Sequence, residues 1–135
     1  MPYLTWNDEL TVGVKKFDEE HQELVRFINQ LHTGIIAGDA ASKIYSVLEG
    51  LIDYTEIHFS HEEDLMIMKN YPDFEPHKKE HEILVKSVLE FKKKLDDGKE
   101  SFSLELMSFL KDWLVKHINI TDKKYSEFFR KNGIS

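Results

Sequence analysis

Apolar residues spaced by three and four recur along almost the whole chain, interrupted only by short punctuating segments, and this spacing lays one apolar stripe along each of several helices. The run DEEHQELVRFINQLHTGIIAG places Leu24, Ile28, Leu31 and Ile35 on one stripe, with Asp18 as the expected N-cap and Gly38 as the stop. Asp39 is expected to cap a second helix, in which Ile44, Leu48, Leu51 and Leu65 share a face and which ends before NYPDF. A third helix is expected from Pro76, a residue favoured in the first turn, carrying Leu84, Val88, Phe91 and Leu95 to a stop at Gly98. The fourth opens near Ser101 or Ser103 and turns Leu106, Leu110 and Trp113 inward. Short links between long amphipathic helices favour antiparallel neighbours, so the expected fold is all-α, an antiparallel up-down-up-down four-helix bundle. Residues 1–17 are expected to form a nonhelical arm that lays Trp6, Val12, Val14 and Phe17 over the side of the bundle, which begins at about residue 18. With 135 residues the chain has the size of one domain spanning 1–135.

Composition removes several classes of function. Twenty-five acidic residues against eighteen basic ones leave a formal net charge of −7, so no basic face is expected and nucleic acid is not an expected partner. The chain has no cysteine, which excludes disulfides, iron–sulfur clusters and thiolate metal sites. Any metal must therefore be held by nitrogen and oxygen. No segment approaches the roughly 20 apolar residues of a membrane span, and MPYLTW is not a basic stretch followed by an apolar run, so a cytoplasmic protein is expected.

Extending each stripe by further steps of three or four runs it into a histidine or an acid. The first continues back from Leu24 to His21; the second continues from Leu51 and Tyr54 to His58 and Glu62; the third begins with His77 and His81; the fourth ends Leu110, Trp113, His117. In an up-down-up-down bundle, the starts of the first and third helices and the ends of the second and fourth lie at the same end. The helices climb and descend by similar lengths, roughly 25 Å each way at about 1.5 Å per residue, so these side chains should meet in one layer. Any one of these histidines, taken singly, reads best as a core residue hydrogen-bonded to a backbone carbonyl. Their convergence with an acid reverses that reading, because an unpartnered buried carboxylate costs several kcal/mol and a metal ion removes the penalty.

The segments GVKKFDEEH, with the tryptophan ahead of it, HFSHEE, HKKEH and WLVKHINITDKKY together resemble the hemerythrin family in its single-domain bacterial form, over essentially the whole length. The resemblance implies the same bundle and adds a donor that periodicity misses, Asp122, five residues after His117. Five residues over-rotate a straight α-helix by about 140° for one face. A π-type turn or an early helix end is therefore expected around INIT. The resemblance further implies two non-haem iron ions bridged by an oxo or hydroxo group, with His77, His81 and His117 on one iron, His21 and His58 on the other, and Glu62 and Asp122 bridging both. Two six-coordinate irons so furnished keep one open position, on the iron with fewer histidines, where dioxygen can be the ligand.

The implied function is reversible dioxygen binding for oxygen carriage, storage or delivery to an oxygen-consuming enzyme, by a monomer that is not itself an enzyme. Carboxylate-rich di-iron bundles use four glutamates and two histidines; neutral imidazoles in their place make highly oxidised iron harder to reach. Phe59, Trp113, Leu114 and Ile118 match family positions that line the dioxygen pocket, while their spacing alone is equally that of plain core. Tyr54 and Tyr125 are candidates to orient the imidazoles. His61 falls outside the set of donors, His32 lies roughly 16 Å along its helix from His21, and Glu63, Asp64 and the KKK at 92–94 read as solvated face. Two alternatives stand beside oxygen binding: a di-iron enzyme reducing peroxide or nitric oxide, and a helical signalling or oxygen-sensing module.

Overall fold

The computed structural model describes residues 3–96 and 104–134. Four long rods build an all-α antiparallel bundle, and no strand occurs among the described residues. They are α1 (Lys15–Ala37), α2 (Ala41–Met68), α3 (Phe74–Asp96), and a fourth rod in three parts: α4 (Leu104–Lys116), a π-helical stretch (His117–Asp122) and α5 (Lys123–Lys131). α1 packs on α2 and α4, and α2 packs on α3. Leu24, Ile28 and Leu31 of α1, Leu48 and Leu51 of α2, Leu84 and Val88 of α3, and Leu106 and Leu110 of α4 are buried as their spacing requires. Four stripe positions, Ile35, Leu65, Phe91 and Trp113, are only partly buried. Leu65 is only partly buried because Met66, one turn beyond Glu62, takes the inner face, and Trp113 yields full burial to Leu114. The side chain of Leu95, Gly98, Ser101 and Ser103 lie outside the described residues.

Helix ends depart from the sequence reading where an acid finds a better partner than its own helix. α1 starts at Lys15 rather than after Asp18, with an extended Val14 as N-cap and no side-chain cap bond. Asp18 instead accepts the N–H groups of Val12 (2.7 Å) and Gly13 (3.3 Å), fastening the incoming arm to the first turn, where a negative charge is favoured. Asp39 does not cap α2. The N-cap is Ala40, and the Asp39 carboxylate pairs with Lys43 one turn on (3.4 Å). α3 begins at Phe74, two residues before Pro76, which sits in the first turn where its missing N–H is no loss. α2 ends at Met68, ahead of NYPDF, through a left-handed Asn70.

The arm is not wholly nonhelical. Asp8–Leu10 form a 3-10 turn capped by Asn7, and α1 takes over at Lys15. Leu4, Leu10, Val12, Val14 and Phe17 are buried against the bundle, with Trp6 partly so. Asn29 holds the arm by both backbone groups of Leu4, accepting its N–H (2.7 Å) and donating to its carbonyl (2.8 Å). Further along, Ser126 of α5 donates to the Val12 carbonyl. His32 stacks under Tyr3 (4.2 Å between rings), while the Lys111 ammonium lies 4.9 Å from the Tyr3 ring centre. No described helix is long and apolar enough to cross a membrane.

Gly38 stops α1 as expected: its φ of 71° is left-handed, and its N–H returns to carbonyls of the last turn. A Cβ there would meet nothing within 4 Å, so only the backbone penalises a side chain. Gly38→Ala should therefore lower unfolding stability by about 1 kcal/mol, read as a lower urea midpoint with unchanged slope.

Candidate metal centre

All the histidines on the converging stripes arrive in one layer. His21 comes from α1, His58 and Glu62 from successive turns of α2, His77 and His81 from successive turns of α3, and His117 from the first residue of the π-helical stretch; every one is buried, with Glu62 at 0% exposure. The π stretch then does what an α-helix cannot. Its wider turn, seen in the Lys123 N–H reaching back to the Ile118 carbonyl, brings Asp122 under His117, with Oδ1 at 3.1 Å from His117 Nε2. Asp122 is likewise 0% exposed.

The two carboxylates divide their oxygens in the same sense. Glu62 Oε1 faces Nε2 of His77 (3.6 Å) and His81 (3.2 Å), while Oε2 faces Nε2 of His21 (3.4 Å) and His58 (3.3 Å). Asp122 Oδ1 faces Nε2 of His77 and His117 (both 3.1 Å), and Oδ2 faces His21 (3.1 Å). Two donor groups result. One atom from each of Glu62, His77, His81, His117 and Asp122 lie within 4.8 Å of one another, and so do atoms of His21, His58 and Glu62. The two groups overlap at Glu62, and each could hold a metal ion.

Whether the residues fit metal can be tested on their hydrogen bonds. Both ring nitrogens of His21 and His77, Glu62 Oε1 and both oxygens of Asp122 are buried with no hydrogen-bond partner. Each such group costs about 1–3 kcal/mol if left so. Cations accepting the inward lone pairs of Nε2 and of the carboxylate oxygens remove that part of the cost, and nitrogen-plus-carboxylate donors suit iron and its neighbours. The local field points the same way. Burial pushes the His21 imidazolium down, but Asp122 and Glu62 outweigh it and hold its pKa up at about 10; the same balance sets His77 at about 9. Burial would raise both carboxylates, yet the surrounding histidines keep Glu62 and Asp122 well below the usual range.

Outside the donors runs a set of carboxylates that sequence reasoning missed. Glu20 Oε1 takes the Nδ1 proton of His58 (2.8 Å), Glu63 Oε2 that of His81 (2.9 Å), and Glu80 Oε1 that of His117 (3.1 Å). Glu63 is thus not simply solvated face. Glu80 is itself steadied by the Thr121 hydroxyl, 2.8 Å from Oε1. The available signal was adjacency: Glu20 precedes His21, Glu80 precedes His81 and Glu63 follows Glu62, so each projects about 100° round its helix toward the next one. Tyr125 does orient the centre, but through a carboxylate: its hydroxyl donates to Glu62 Oε2, and its ring lies 5.6 Å from that of His77. Tyr54 packs on Phe27 (5.8 Å) instead of meeting an imidazole. His61 bonds Glu20 Oε2 at 2.5 Å.

An apolar wall adjoins the donors. Phe59 stacks on His81 (3.6 Å, 3°) and Trp113 on His117 (4.3 Å, 14°). With Leu24, Leu51, Leu110 and Leu114 they line an apolar cavity of about 40 Å³; Ile118 is buried nearby without lining it.

The chain matches the family model described as the hemerythrin HHE cation binding domain over residues 12–129. It is 36% identical to the bacteriohemerythrin of Pseudomonas aeruginosa over 130 residues, covering 96% of this chain and 84% of that one. It is also 36% identical to the bacteriohemerythrin of Methylococcus capsulatus, covering 93% and 95% respectively. A crystal structure of wild-type hemerythrin superposes with a TM-score of 0.86 at 35% identity, covering 93% of this chain and 96% of that one.

With pKa values of about 10 and 9, His21 and His77 are protonated at neutral pH in the metal-free protein. A cation taking either nitrogen lone pair must displace those protons. Loading a divalent cation in weak buffer should therefore release protons to an indicator dye, and affinity should weaken as pH falls; pH-independent loading would contradict the assignment.

Proposed function

We propose, because this chain belongs to the hemerythrin family, that it binds dioxygen reversibly at a non-haem di-iron centre and serves oxygen carriage, storage or delivery. The observation that supports this most directly is the split of Glu62 and Asp122 between two unequal histidine groups. His77, His81 and His117 would hold one iron, His21 and His58 the other, and the carboxylates would lie between them. When bound, a ferrous pair in that donor set would supply the electrons for taking up dioxygen and releasing it.

The chain's own part is positioning and exclusion. Donation of Nδ1–H to Glu20, Glu63 and Glu80 fixes the tautomer of His58, His81 and His117, so that each presents an Nε2 lone pair inward. The Tyr125 proton holds Glu62 from the opposite side, and burial keeps that phenol protonated by raising its pKa well above the usual value. Phe59, Trp113 and Leu114 supply walls that offer water no polar partner, Ile118 adds buried apolar bulk outside them, and an apolar cavity of this kind stays dry. Uncharged imidazoles in place of carboxylates reduce the negative charge that would support highly oxidised iron. This favours binding over oxidation chemistry.

The deciding experiment is an absorption spectrum of the anaerobically iron-loaded protein before and after air. A new charge-transfer band that disappears under vacuum is the expected result, at two irons per chain. Iron at one per chain, an irreversible change, or many turnovers with a reductant and peroxide or nitric oxide would overturn the reading. The wall makes its own prediction: Leu114→Ser introduces a hydroxyl that can hold water, and should shorten the lifetime of the oxygenated form several-fold as followed by decay of that band.

A further inference from the structure

Glu20 is a buried carboxylate with each oxygen occupied by a different imidazole. Oε1 lies 2.8 Å from His58 Nδ1 and Oε2 lies 2.5 Å from His61 Nδ1. The two histidines are three residues apart on α2 and so share a face, but they sit at different depths: His58 is 1% exposed and His61 is 36% exposed. A glutamate near the bundle surface would ordinarily turn its head to water. This one is pulled inward across the α1–α2 seam, with His61 on its outer side closing it off.

We propose that Glu20, braced by His61, is the positioning residue for the two-histidine half of the centre. Outer support differs between the two halves of the centre. On the three-histidine side, His77 Nδ1 has no partner, but His81 and His117 each have their own carboxylate, Glu63 and Glu80. On the two-histidine side, His21 Nδ1 has no partner, leaving the Glu20–His58 bond as the outer hold on that half. An ionised Glu20 can only accept, so it obliges His58 to donate from Nδ1 and to point Nε2 at the shared Glu62 oxygen, 3.3 Å away. His61 in turn occupies the second carboxylate oxygen, which prevents Glu20 from rotating outward into solvent. His61 thus acts through Glu20 and never as a metal donor. The proposal rests on the di-iron reading above, and its consequence is selective: loss of Glu20 weakens one metal position and spares the other.

The test is an anaerobic ferrous titration against a competing chelator, together with the absorption spectrum of the oxidised pair. Wild type and the exposed control Glu19→Ala should each take two irons. Glu20→Ala should keep one iron at wild-type affinity and bind the second about 10–100-fold more weakly. His61→Phe should move the second affinity in the same direction by less. Glu20→Gln keeps an acceptor for His58 without the charge, so it should retain both irons while shifting the charge-transfer band, which a purely structural role would not do. Should Glu20→Ala fail to fold by circular dichroism, Glu20→Gln decides alone, and an unchanged band there would overturn the proposal. Equal weakening of both irons in folded Glu20→Ala, or no weakening, would also overturn it. Failure of wild type to take two irons would instead overturn the di-iron reading beneath it.

Discussion

Two carboxylates at the centre of a bundle, both shut off from bulk solvent, are the constraint that organises this molecule. Glu62 and Asp122 are both fully buried, and the imidazoles that face them come from all four rods. Two negative charges so close cannot remain in an apolar core without cations or donors around them. Each rod must therefore deliver its histidine at the same depth, which sets the vertical register of the bundle. A slide of one helix by a turn, about 5.4 Å, would break inner contacts and outer hydrogen bonds together.

The outer bonds show how the register is locked. Glu20 of α1 holds His58 of α2, Glu63 of α2 holds His81 of α3, and Glu80 of α3 holds His117 in the fourth rod. Each helix thus supports a donor on the next. The circuit stops at the fourth rod, because His21 Nδ1 has no partner. The arm reinforces α1 in a different way, through backbone bonds to Asp18 and Asn29.

Much of this was legible in the sequence because the period of an apolar stripe and the depth of a histidine along it are both local arithmetic. The bundle, the shared layer of His21, His58, Glu62, His77, His81 and His117, and the Gly38 stop follow from spacing alone. Asp122 did not, since a π-turn violates the period that spacing arguments assume; the family resemblance supplied it, and the need for an unusual turn followed. What sequence reading lost were choices between partners. Asp18 and Asp39 look like caps, yet Asp18 bonds the arm and Asp39 bonds Lys43, because a carboxylate takes the strongest donor that tertiary structure brings near. Glu63 reads as solvated surface, and Glu20 and Glu80 carry no stripe signal at all, for the same reason: their partners are on other helices, out of view of any single stripe.

The widened turn at His117–Asp122 also acts on everything after it. It retards the rotation of the chain, so that Tyr125 and Phe129 of α5 come round to the inner side in phase with Asp122, and both are fully buried. Between the two donors, Asn119 and Ile120 are exposed. Their chemical identity is therefore free to vary, whereas the number of residues is not. Most joints in a bundle absorb an added or lost residue by reshaping a loop; here the same change would turn an entire terminal segment away from its neighbours.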